Sequence, residues 1–201
     1  MSKEIEFEVK VVPAGTGSLA WDNPFADKLV HRFMPHDRRH GPMIGILEFA
    51  GLRPTASVLQ SAVVAVGEDA KAGRYGEFTL FVSSKDEDTR NTISDIAASR
   101  NVAVFVTSAT HKLMDAIPVG AITLKDSETL NQVSEFGGTV SANEFADCLD
   151  IEKTAAGNRL TSLHRKGYLQ RIARPHPMGD LFVDPRSIEL AIEETDESQM
   201  D

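Results

Sequence analysis

Glu4 to Val12 alternates strictly, with Ile5, Phe7, Val9 and Val11 against Glu4, Glu6, Glu8 and Lys10. A period of two predicts a half-buried strand. Asn23-Pro24 opens a stretch with Phe25, Leu29, Val30 and Phe33 on one helical face. Met43 to Phe49 is a short apolar run of the fully buried strand type. A core-packed helix follows through Val58, Leu59, Ala62, Val63 and Val66, with Thr55 or Ser57 as its cap. Phe78 to Val82 predicts a strand. Asp86 or Asp88 caps a helix through Ile93, Ile96 and Ala97, and Val102 to Val106 predicts the next strand. A short helix around His111 to Ala116 and a longer one from Thr123 to Val133 complete this part. Alternating strands and helices imply an α/β layer with a mixed or mostly parallel sheet.

A second pattern begins at Val140. Ser141-Ala142-Asn143-Glu144 has capping-box spacing, and Phe145, Ala146 and Leu149 give the short helix an inward face. Asp150-Ile151-Glu152 is a tight turn, with Ile151 placed to plug the gap between two helices. The next helix runs from about Lys153 to Lys166 and stops at Gly167. Tyr168 to Ala173 and Leu181 to Val183 predict a hairpin around a loop with two prolines. Helix, turn, helix and hairpin is the winged-helix layout.

At 100° per residue, Ala156, Leu160 and Leu163 fall within about 60° of one another and form the buried stripe of that helix. Thr154, Asn158, Thr161 and Arg165 fall on the opposite side. Asparagine can read adenine, arginine can read guanine, and threonine can do either weakly. The candidate DNA-binding residues of this helix and the strand after it are Lys153, Thr154, Asn158, Arg159, Thr161, Arg165, Lys166 and Arg171.

The net charge of -9 opposes phosphate binding when taken alone. Its distribution does not. Lys153 to His176 carries Lys153, Arg159, Arg165, Lys166, Arg171 and Arg174 and no acid, whereas residues 188–201 carry six acids and no base. The local field governs a DNA-binding face.

The stretch TAAGNRLTSLHRKGYLQRIARP resembles the recognition helix and wing of MarR-like and ArsR-like bacterial regulators. The shared elements are the small residues from Thr154 to Asn158, the leucines Leu160 and Leu163, Arg165-Lys166, Gly167, Tyr168-Leu169 and Gln170-Arg171. The resemblance implies a winged helix on double-stranded DNA, with Arg174 and His176 of the wing at the minor groove or flanking phosphates. Chains of those families are nearly all helical around this module, whereas an α/β unit accompanies it here. That unit is loosely similar to the STAS fold in EFAGLRPTAS and VSSKDEDTRNTISDIAAS. The Asp-Ser-Ser/Thr-Gly run of the phosphorylated antagonists is missing, and a flavodoxin-like or other α/β sandwich stays open.

The expected division is an α/β regulatory or dimerisation domain at 1–136, a winged helix-turn-helix at 137–187 and an acidic tail at 188–201, with Gly137-Gly138 as hinge. The expected protein is a cytoplasmic homodimer acting as a DNA-binding transcriptional regulator. A protein partner or small-molecule effector would act at the N-terminal domain. The alternative is an interaction adaptor whose winged helix docks a protein. Enzyme motifs are missing: Gly15-Thr16-Gly17-Ser18 lacks the Gly-Lys-Ser/Thr of a P-loop, and there is no Gly-x-Ser-x-Gly elbow. No cofactor, metal or membrane span is expected. His31, His36 and His40 read as surface, and Cys148 as a buried small hydrophobe.

Overall fold

The computed structural model describes residues 7–13, 32–33, 42–50, 52–175 and 177–188. The helix opening at Asn23-Pro24 (apart from Arg32 and Phe33), the histidine loop, His176 and the acidic tail beyond Ile188 lie outside the described residues.

Strands β1 (Glu8–Pro13), β2 (Met43–Glu48), β3 (Phe78–Ser83), β4 (Val104–Thr107) and β5 (Ile117–Val119) form one sheet in that spatial order. The first four are parallel and β5 is antiparallel. Helix α1 (Ala56–Lys71) joins β2 to β3, and α2 (Glu87–Arg100) joins β3 to β4. Right-handed crossovers between strands laid down in sequence place their helices on the same face. The second face is therefore left to be covered by something else.

Strand alternation assigns residues to the two faces. Met43, Leu47, Leu80, Val82, Val104 and Val106 pack with Leu59, Val63, Val66, Ile93 and Ala97 of α1 and α2. Ile44, Ile46, Phe81 and Phe105 point the other way and join Leu130, Val133, Phe145, Leu160, Leu163, Tyr168 and Phe182. The C-terminal third of the chain is thus the sheet's second cover. Phe7, just before β1, and Val9 within it pack on this side as expected, whereas Val11 is 43% exposed.

The C-terminal elements are α3 (Leu124–Glu135), β6 (Thr139–Ser141), α4 (Ala142–Leu149), α5 (Lys153–Lys166), β7 (Gln170–Ile172) and β8 (Leu181–Val183). The three strands form an antiparallel sheet in the order β6-β8-β7. The architecture is a mixed α/β sheet followed by a winged helix.

Polar anchors tie the two lobes together. Tyr168 donates its hydroxyl to Val119 O at 2.9 Å. The buried Gln170 amide donates to Met43 O at 2.9 Å and Thr79 Oγ1 at 3.1 Å. The Asp184–Arg186 pair is buried, and the Arg186 guanidinium lies 5.9 Å from the Phe105 ring centroid.

Several local expectations change. Asp86 caps α2, but Thr55, at the N-cap of α1, makes no side-chain bond to the helix backbone; its hydroxyl hydrogen-bonds the Ser57 hydroxyl at 3.0 Å instead. The short helix is one 3-10 turn, Leu113–Asp115. Cys148 is exposed, not buried. Phe145, Ala146 and Leu149 define the inner face of α4, and Cys148 lies about 110° away from its centre.

Candidate nucleic-acid interface

The winged helix is built on satisfied helix ends. Thr123 and Asp126 form a capping box on α3, and Ser141 and Glu144 form one on α4. Hydrogen bonds from Ser141 hold the Glu144 carboxyl below the usual glutamate range. A carboxyl lowered in this way contributes stability above its unfolded pKa and loses it as pH falls through the folded value. Substituting Ser141→Ala is expected to cost about 1 kcal/mol at neutral pH. Most of that loss should persist in acid, because the bond from Glu144 N–H to Ser141 Oγ does not titrate. Glu144→Gln weakens the bond from Ser141 N–H to the carboxylate, so its loss should instead shrink from pH 7 to pH 3, as urea midpoints would check.

Asp150 ends α4 in the left-handed region (φ 51°), and Ile151 N–H returns to Ala146 O at 3.1 Å. The Ile151 side chain packs against the core between the helices, as its position suggested. Glu152 provides no side-chain cap for α5, and the first turn of α5 holds no acid. Its leading N–H groups and positive dipole end therefore meet no carboxylate within that turn. Gly167, at φ 89°, closes the helix with N–H to His164 O.

Ala156, Leu160 and Leu163 are the buried residues of α5. On the opposite side Thr154, Asn158 and Arg165 are exposed and Thr161 is half-buried, so these four share one face. Lys153 is exposed at the head of the helix, and Arg159 is half-buried on a flank. Among the described residues, Lys153, Arg159 and Arg165 form no ion pair.

The remaining cations have internal partners. Lys166 Nζ lies 2.6 Å from Asp126 Oδ2. Burial pushes the Asp126 carboxyl up, but hydrogen bonds from Lys166 and Thr123 outweigh it and leave the group below its ordinary range. Arg171 pairs with Asp180 across the hairpin. Arg174 donates to Gly179 O at 2.8 Å and Met178 O at 2.9 Å, stapling the wing loop.

Two features escaped the sequence reading. Asn143, Gly157 and Thr161 line a groove of about 240 Å³ between the start of α4, α5 and the wing. The only signal for it was a glycine inside a helix. A crevice of about 290 Å³ also separates the sheet from the end of α5, lined by Lys71, Glu77, Phe78, His164 and Arg165 among others. Glu77 Oε2 there accepts the Arg171 N–H at 3.2 Å and lies 3.5 Å from His164 Nδ1.

The family model of the MarR family matches residues 122–177, from just before α3 into the wing. This stretch is a MarR-type winged helix, the domain of DNA-binding transcription regulators that are usually dimers and generally non-enzymatic. No curated protein and no solved structure matches the chain. Among the described residues no helix is long and apolar enough to cross a membrane.

Proposed function

We propose that this protein is a sequence-specific transcriptional regulator that lays α5 in the DNA major groove, as a homodimer on paired half-sites. The observation that carries the reading is the acid-free face of Thr154, Asn158, Thr161 and Arg165, set opposite the buried stripe of the same helix. Lys153 and Arg159 supply phosphate contacts and Arg165 a base contact, because the other described cations of the segment already have partners. The α/β lobe receives the signal. Its leverage on DNA binding lies in Glu77 and Gln170, which hold the end of α5 and the base of the wing.

The experiment is a titration of a labelled duplex of about 30 base pairs, long enough for two half-sites a turn apart. Log affinity should fall linearly with log salt, and each cation that neutralises a phosphate contributes about 0.9 to the slope. Lys153→Ala should reduce that slope by about 1 per bound chain. Lys166→Ala should leave it nearly unchanged, since that charge is paired with Asp126. A duplex that fails to bind even at low salt overturns the proposal.

A second reading has one observation in its favour. Lys166 and Arg171 are paired with carboxylates and Arg174 is held by wing-loop carbonyls, which weakens the basic field that DNA requires. Under that reading the winged helix docks a protein partner, and α5 variants change protein capture but not DNA retention.

A further inference from the structure

The glycines of this chain differ in what demands them. A Cβ at Gly67 would lie 2.0 Å from Val102 Cγ1. At Gly120 it would lie 1.9 Å from Val102 O, with φ at +108°. Packing accounts for the first, and packing together with the backbone conformation for the second. Gly157 lies in the middle of α5, in ordinary helical backbone, where a Cβ would meet only Ala142 Cβ among the described residues, at 3.8 Å. That is normal van der Waals contact, so alanine fits. Glycine is the poorest helix former after proline and alanine is the best. The fold therefore gains nothing from glycine here and loses helix stability by it.

The missing side chain opens the groove bounded by Asn143 at the start of α4, Thr161 one turn further along α5, and Met178 and Gly179 of the wing. Asn143 and Met178 are exposed at its edges. Amide and hydroxyl side chains are common donors to phosphate oxygens, and such contacts set the register of a protein on the duplex. Ala142, Met178 and Phe182 give the rest of the lining an apolar character, and Arg171 there is paired with Asp180, so the groove holds little free charge.

Resting on the DNA-binding reading, we infer that Gly157 is a positioning residue that lets the DNA sugar-phosphate backbone approach the α5 main chain in this groove, between Asn143 and the wing. A methyl group there holds the backbone off and tilts α5 out of the major groove, although the protein itself is more stable.

The test is Gly157→Ala in the full chain, with two readouts. Thermal unfolding should show a midpoint equal to or higher than that of the parent. Affinity for duplexes that the parent retains from a random-sequence library should fall at least tenfold. A variant that binds those duplexes as tightly as the parent overturns the inference and leaves the DNA-binding reading intact. A lower unfolding midpoint also overturns it, because glycine would then serve packing. A parent that retains no duplex at low salt overturns both.

Discussion

Replacing Phe105 by alanine should cost about 3–5 kcal/mol, a large share of the total stability of an ordinary domain. Phe105 is fully buried at the centre of the cluster that the sheet shares with the winged helix. Its ring stacks on Phe81 at 4.9 Å between centroids and meets Tyr168 edge-on at 5.9 Å, with Arg186 across its face. Truncation leaves a cavity under all three. Because those neighbours come from both lobes, the loss should appear in both. Hydrogen exchange should show protection falling together in β3 and α5. Loss confined to the sheet, with α5 protected as before, would contradict a shared core.

The double variant Asn158→Ala/Arg165→Ala should lower affinity for a selected duplex by at least about 30-fold, since each bidentate side-chain–base pair is worth about 1–3 kcal/mol. The two residues are seven positions apart, about 10.5 Å along the axis at 1.5 Å per residue, and so address bases about three steps apart. Both are exposed and make no described ion pair, so stability should change by less than about 0.5 kcal/mol. Asn158→Ala alone should relax base preference while sparing the salt slope. Arg165→Ala should affect both. Titration of matched and mismatched duplexes separates these effects, and unchanged discrimination in the double variant would remove α5 as the reading element.

Much of the winged helix was legible because its signals are local. Ser141 with Glu144, Gly167, and the leucine pair Leu160 and Leu163 each act within a turn or two of sequence, and α5 runs from Lys153 to Lys166 as its pattern predicts. Strands β5 and β6 were not, because each is three residues long. No period can be read from Ile-Pro-Val or Thr-Val-Ser, and their pairing depends on β4 and β8. The runs MIGIL and FTLFV declared strands buried on both faces. They could not say that the second cover comes from Phe145, Leu160 and Tyr168, about a hundred residues later for β2.

The candidate site divides along the same line. Side-chain direction on α5 follows from helical geometry, so its exposed face was readable. The fate of each charge did not follow, since Lys166 meets Asp126 only after α3 packs on α5. The Arg171–Asp180 pair carried a faint signal in its spacing across a hairpin. The staple that Arg174 makes to the carbonyls of Met178 and Gly179 carried none, because it depends on the shape of the wing loop.

The most direct measurement is selection of duplexes from a random-sequence library by the full chain at two salt concentrations, with sequencing of the retained fraction. The account predicts one enriched two-fold symmetric motif, with half-sites about one helical turn apart and retention falling as salt rises. Retention of no duplex at the lower salt, or retention without any enriched motif, would contradict it.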